Sequence, residues 1–336
     1  MRKSNIELLR IICIIMVITL HYLNGKMGGA LDNVIEGSFN YYLVHFLESL
    51  CIIAVNTFIL ITGYFSYQKT KIKISKPIYL LYLCFVYGII IYGILLLAGR
   101  VEINSQSLLK LLTSIFNRWF VLAYIVLYLL IPYINKIVNG ISEKNYQILL
   151  GICVFFFYLW PTIYSNTLMR DRGYGIVNFI ILYLIGAYIA KYKNKRISER
   201  KSFFTYLFFV VITTVFSLFY ETRAYTYSSI FNVIAAVSLF LTFKNLDIKD
   251  RKIINVLSSF SFSVYIIHEN PFIVSMIFKE LFNSMDYYNS NYLILNLLLS
   301  VISTYFLCVI IEQIRRLLMK KMIDSKIDKI KYEIEV

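Results

Sequence analysis

Charge is what this sequence has least of. Only 16% of its 336 residues are Asp, Glu, Lys or Arg, against 59% that are hydrophobic, and its mean hydropathy is +0.68. A soluble core cannot bury that much apolar surface, so the solvent for most of the chain is lipid. Ten-residue segments of alternating apolar and polar residues, the mark of a membrane β-barrel, are missing. Paired cysteines are missing too. Cys13, Cys51, Cys84, Cys153 and Cys308 stand singly inside apolar segments with no CxxC, which argues against a disulfide framework or thiolate site and leaves them as small packing residues. The three histidines fall in different apolar segments, and no metal is expected. No repeat, low-complexity linker or separate soluble domain is visible. The net charge of +15 would suit nucleic acid, but the basic residues cluster at segment ends, so no nucleic-acid partner is expected. Arg2 and Lys3 before an apolar run resemble a secretion signal. No small-x-small site follows, and Glu7 and Arg10 interrupt the first turns, so an uncleaved first span is expected.

What is present is a series of apolar runs of the length, roughly 20 residues, that a helix needs to cross a hydrocarbon core about 30 Å thick. Bounded by charge, Gly, Pro or Asn, they lie near residues 5–24, 43–66, 77–98, 119–138, 146–163, 174–190, 203–220, 226–243, 254–278 and 292–314. The expected fold is all-α: a polytopic membrane bundle of about ten transmembrane helices over residues 1–314. Residues 315–336, where Lys alternates with Asp, Glu and Ile, read as a cytoplasmic basic tail forming a short amphipathic helix on anionic lipid. Of the 34 Lys and Arg, 25 fall on the side of the N-terminus and 8 on the other. That bias places both termini in the cytoplasm of a plasma-membrane protein.

Polar residues inside such spans are costly and mark function. In the first span, eleven residues at 100° each bring His21 within about 20° of Arg10, some 16 Å further along the same helix face. An always-charged guanidinium at the cytoplasmic end suits a phosphate-bearing donor, and a buried imidazole beyond it suits proton transfer. The ninth span carries Ser261, Tyr265 and His268 at i, i+4 and i+7, followed by Glu269. His268 should lie at much the depth of His21, making the two histidines the candidate catalytic pair. Ser261, Tyr265 and Glu269 are the candidate substrate-binding residues. Pro271 is expected to kink this helix. Lys69, Lys71, Lys73 and Lys76 form a basic loop that either sets topology or, with Arg10, binds an anionic donor. His45 and Glu48, one turn apart, read as a structural pair.

Several passages, in order, are similar to the acyltransferase-three family of membrane O-acyltransferases. Glu7-Leu8-Leu9-Arg10 through His21 resembles its Arg-x10-His opening. Phe58 to Phe65, FILITGYF, resembles the end of its second helix, which a basic loop follows. Trp119-Phe120 through Tyr128 to Pro132, Leu184 to Ala187, and Ser259 to Pro271 resemble three later passages. The resemblance implies transfer of an acyl group, usually acetyl from cytosolic acetyl-CoA, to a hydroxyl of a cell-envelope carbohydrate such as a surface polysaccharide or its lipid-linked precursor. It gives His21 the catalytic role and makes Arg10 the matching family arginine. Thr62 stands where the family has Ser, and the loop uses Lys where many members have Arg, which keeps charge but loses the bidentate fork.

The rival reading is a transporter or flippase for a glycan or small anion, with His21, His268 and Arg10 as its pathway. Against it stands the lack of repeats and of paired broken helices. A glycan polymerase would need a longer outer loop than the roughly 20 residues available here. Beyond lipid and a carbohydrate acceptor no partner is implied, and homo-oligomerisation is left open.

Overall fold

The computed structural model describes residues 3–164, 168, 170–193, 197–319, 323–330 and 332–335. Among these, seven helical stretches are long and apolar enough to cross a membrane, and Ile176–Tyr192, Ile230–Asn245 and Lys252–His268 are shorter apolar ones. Each of the expected spans falls on one of them, and the chain is a multi-pass helical membrane protein. Arg2, Lys195, Arg196, Lys320, Lys321 and Lys331, counted above for orientation, lie outside the described residues.

The helices are α1 (Ser4–Leu23), α2 (Phe39–Cys51), α3 (Ala54–Ser66), α4 (Ser75–Leu97), α5 (Ser105–Phe116), α6 (Trp119–Gly140), α7 (Glu143–Val154), α8 (Ile176–Tyr192), α9 (Glu199–Ala224), α10 (Ile230–Asn245), α11 (Lys252–Ser258), α12 (Ser261–His268) and α13 (Leu293–Met319). Helix α1 occupies the centre, touching α2, α3, α10, α11, α12 and α13. Of its most apolar window 72% is buried, against 22% for Glu143–Ile163 and 28% for Glu199–Ala224, which face lipid. The central position explains why α1 carries polar groups: Arg10 and His21 point into protein, where partners can be supplied, and not into hydrocarbon.

Two breaks shape the interior. The second crossing bends at Ile52–Ile53 between α2 and α3, and the ninth is interrupted at Ser259–Phe260 between α11 and α12. The ninth also stops earlier than expected. Helix α12 ends at His268, and Pro271 lies in the turn beyond it, where its missing N–H leaves no helical bond unmade. The Asn270 side chain instead accepts from the Phe272 amide at 3.0 Å. Helix α5 was not anticipated. Its signal is local, a reciprocal capping box between Asn104 and Ser107. Of the tail expected from residue 315, residues 315–319 continue α13, Ser325–Asp328 form one helical turn, and Glu333–Glu335 form a strand β2 antiparallel to β1 (Lys71–Lys73), with Ile334 opposite Ile72, a pairing not anticipated from the sequence.

Helices α3 and α8 cross with their backbones in contact. A Cβ at Gly63 would meet the Tyr183 carbonyl oxygen, and one at Gly186 would meet the Leu60 carbonyl oxygen and, at 3.0 Å, the Tyr64 nitrogen. The FILITGYF and LIGA passages therefore supply the two halves of one close crossing, the small-residue packing that joins helices where no hydrophobic drive exists between them. Alanine at Gly63 gains up to about 1 kcal/mol of helix propensity, but the atom it meets is backbone and cannot swing away. Gly63→Ala is expected to destabilise the bundle by about 1–3 kcal/mol, seen as a lowered thermal unfolding midpoint in detergent; an unchanged or raised midpoint would mean that this crossing has slack.

Candidate functional site

A cavity of about 520 Å³ runs through the bundle beside α1. Glu7, Arg10, Lys76, Ser258 and Ser259 line the end nearer the N-terminus, and His21, Glu48, Ser261, Tyr265, Trp119, Tyr174 and Tyr227 line it further along. The interruption at Ser259–Phe260 matters here, because it presents the hydroxyl-rich flanks of α11 and α12 to the cavity. Glu7 is held in place by a short hydrogen bond from the Ser258 hydroxyl.

His21 and His268 meet. Nδ1 of His21 lies 3.0 Å from Nε2 of His268, and Nδ1 of His268 lies 2.6 Å from the Val264 carbonyl oxygen. A carbonyl can only accept, so Nδ1 of His268 carries a proton and donates it. For uncharged rings, Nε2 of His268 is then an acceptor, Nδ1 of His21 is its donor, and Nε2 of His21 is left as a free base. His268 is fully buried and absent from the cavity wall, whereas His21 lines it. The pair thus divides into an exposed base and a hidden ring that fixes its tautomer and orientation.

Ser261, Tyr265 and Glu269 all line the cavity. Tyr265 stands edge-on to Phe120, with ring centroids 5.3 Å apart, and its hydroxyl is beside Glu269. Glu269 is bound by Arg118, Nη1 to Oε2 at 2.9 Å, and the same guanidinium donates to the Ile266 and Ser114 carbonyls at 2.9 and 2.6 Å. Arg118 therefore caps α12 and α5 together and neutralises the carboxylate beside the cavity. Among the described residues, four buried polar atoms on the cavity wall make no hydrogen bond: Arg10 Nε, Glu48 Oε2, Ser261 Oγ and Tyr265 Oη. Buried polar atoms are ordinarily satisfied, so orphans lining one cavity mark where a ligand's polar groups belong.

The basic loop divides. Lys76 lines the cavity, and Lys69, partly desolvated and next to Arg10, has its ammonium pKa held below the usual lysine range. Lys71 and Lys73 lie on the exposed side of β1, away from buried Ile72, and Lys71 is paired with Glu335 at 2.6 Å. Those two are not brought to the cavity. The pairing of His45 with Glu48 does not form either. His45 Nδ1 is engaged by the Tyr225 hydroxyl at 2.7 Å and by Ser217 Oγ at 3.2 Å, which leaves Glu48 to the cavity. Sequence reasoning passed over Arg118, Tyr174 and Tyr227 and gave Glu48 only a structural role. Helical spacing linked Glu48 to the wrong partner, and the tyrosines come from connections between spans that no periodicity brings together. Among the described residues, no group of three or more His, Cys, Asp or Glu could hold a metal ion.

The acyltransferase-three family model, described as an acyltransferase domain, matches residues 3–313. No curated protein and no solved structure matches the chain.

The Arg118–Glu269 pair makes a prediction independent of chemistry. Arg118→Met leaves a buried carboxylate alone and is expected to cost about 3–5 kcal/mol, whereas Arg118→Met with Glu269→Leu should recover much of that loss. Unfolding of the purified variants in micelles checks it; a single variant within about 0.5 kcal/mol of the parent would show that the pair does not hold α12.

Proposed function

The chain belongs to the acyltransferase-three family, and from that premise we propose that this membrane acyltransferase carries an acyl group, acetyl in the first instance, from cytosolic acyl-CoA to a hydroxyl of a cell-envelope carbohydrate. The N-terminal end of the cavity faces the cytoplasm in this reading, as the distribution of Lys and Arg argues. The observation that carries it is the chain Val264 carbonyl, His268, His21, which ends in an unprotonated nitrogen on the wall of a cavity whose N-terminal end is cationic.

Arg10, with its orphaned Nε, and Lys76 and Lys69 beside it hold the donor's phosphates. His21 lies about 16 Å further along the helix, so the pantetheine arm extends down the cavity to bring the thioester to it. The donor supplies a carbonyl carbon joined to a thiolate leaving group. His21 Nε2 takes the proton of the acceptor hydroxyl as that oxygen bonds to the carbonyl carbon, the C–S bond breaks, and the imidazolium returns the proton to the departing sulfur. The Nδ1 bond to His268 keeps Nε2 free at the start and spreads the charge that His21 gains. Ser261 and Tyr265 hydroxyls donate to the carbonyl oxygen while it is negative. His268 acts on the reaction only through His21 and is a positioning residue.

Transfer of radiolabel from acetyl-CoA to envelope glycans in membranes is the test. His21→Ala is expected to lose about 10²–10⁴ of the rate, His268→Leu to lower kcat with the donor KM unchanged, and Arg10→Met to raise the donor KM. Full transfer by a folded His21→Ala protein would overturn the reading, and no transfer with the parent chain would turn attention to a transport role.

A further inference from the structure

The crossing that brings Trp119 to the cavity is broken inside the bundle. Helix α5 turns back along α4, because a Cβ at Gly88, well within α4, would meet the side chains of Ile115 and Ser114 near the end of α5. The chain is then extended at Arg118, with φ −96° and ψ 102°, and α6 starts afresh at Trp119. From there α6 runs to the basic loop, where Asn135 donates to the Ser66 and Lys69 carbonyls at 2.6 and 2.9 Å. The N-terminus of a 22-residue helix therefore opens beside α4 and α12, within the packed spans.

The first bond of α6 runs from the Leu122 amide to the Arg118 carbonyl at 3.0 Å. The amides of Trp119, Phe120 and Val121 thus have no partner within the helix, and no side chain caps them. Trp119 and Phe120 line the cavity together with His21, Ser261 and Tyr265. Arg118 donates to the Ile266 carbonyl and to Glu269, and the Phe120 ring stands 5.3 Å from that of Tyr265. These contacts fix the start of α6 to the helix that carries His268. Two side chains point to a ligand at the same place. Tyr265 and Ser261 are each 7% exposed, and Tyr265 Oη and Ser261 Oγ have no hydrogen-bond partner. Glu269, the carboxylate on this stretch of wall, is paired with Arg118 and caps none of the amides. Unpaired amides at a helix N-terminus carry roughly half a positive charge, and together with two free hydroxyls they suit an oxygen bearing negative charge.

We propose that the backbone amides of Trp119 and Phe120 complete, with the Tyr265 and Ser261 hydroxyls, the oxyanion hole of the reaction, an inference that rests on the acyl-transfer reading. As the acceptor oxygen bonds to the carbonyl carbon and its proton passes to His21, the π pair of the carbonyl moves onto the carbonyl oxygen, which lies against the start of α6. The pair returns to the carbonyl when the C–S bond breaks, and the departing sulfur takes the proton from His21. In a continuous helix these amides would be spent on the backbone ladder; the break at Arg118 frees them. The charge they meet exists only in the tetrahedral intermediate and the transition states around it, so they act on kcat and not on donor binding.

Proline at the first helical position removes the amide proton without breaking the helix, and Arg118 already has the extended backbone that precedes proline. Trp119→Pro is therefore compared with Trp119→Ala, which loses the same indole but keeps the amide. Phenyllactate incorporated at position 120 keeps the ring of Phe120 and replaces its N–H by an ester oxygen, which covers the case of a Trp119→Pro protein that does not fold. Acetyl transfer from acetyl-CoA is measured with the full chain in membranes, folding being checked by the thermal midpoint. Within each pair kcat is expected to fall about 10²-fold on loss of the N–H, with the donor KM unchanged. A fall in one pair alone supports the proposal and assigns the oxyanion to that amide. Equal kcat within both pairs would overturn it, as would a raised donor KM at unchanged kcat, which would put a phosphate of the donor at the start of α6. The two readings fail differently. Transfer by the parent chain with no difference within either pair removes the oxyanion hole alone, whereas no transfer by the parent chain removes the acyl-transfer reading and the oxyanion hole with it.

Discussion

The bond on which the site depends is the one from His268 to the carbonyl of Val264, one turn back in its own helix. Because a carbonyl cannot donate, it decides which nitrogen of His268 is protonated, and that decision passes through the 3.0 Å contact to His21. In water such a preference would be weak, since solvent could supply either proton. Here His268 is wholly buried, and a buried ring nitrogen without its partner is costly. The membrane interior thus turns a local backbone contact into control of a base that sits on a different helix.

That control requires the helices to be held in register, and the sequence meets the need with small residues and buried ions. Gly63 and Gly186 let α3 and α8 approach backbone to backbone, while Arg118 ties the C-terminal end of α12 to that of α5. At the opposite end of the molecule Glu312 receives Arg315 at 2.8 Å, Arg316 at 2.7 Å and the Tyr87 hydroxyl at 2.5 Å, joining α13 to α4. Each device satisfies a polar group that lipid could not, so the stabilising network and the avoidance of unpaired charge are one arrangement.

The spans were readable because a bilayer imposes one length and one composition on every crossing, and the Arg10–His21 stripe was readable because both residues share a helix. The ninth span, expected near residues 254–278, was recognised as unusual from its Ser, His and Glu content, but not its break at Ser259–Phe260 or its end before Pro271, since those are fixed by what α12 packs against. Likewise nothing between Leu50 and Ala54 announces the bend at Ile52–Ile53; no Pro or Gly stands there. Helix α5 did carry a local signal, Asn104 with Ser107, which an apolar-run reading ignores. Glu48 was legible as a polar residue and misassigned as a partner, because i, i+3 spacing describes an isolated helix, whereas His45 is claimed by Tyr225 and Ser217 from another part of the chain. Spacing within one element proved informative; partners across elements had to be seen.

The basic loop shows how a few backbone bonds can sort identical side chains. Strand β1 pairs with β2 so that Ile72 faces Ile334 and is buried. Alternation along a strand then obliges Lys71 and Lys73 to share the opposite face, where Lys71 meets Glu335. Lys69 and Lys76 lie outside the strand, are free of that alternation, and remain close to Arg10. A slip of one residue would bury a lysine and expose Ile72, so the hydrophobic pair at Ile72 and Ile334 fixes the register, and the register in turn fixes which lysines can contribute positive charge to the cavity mouth.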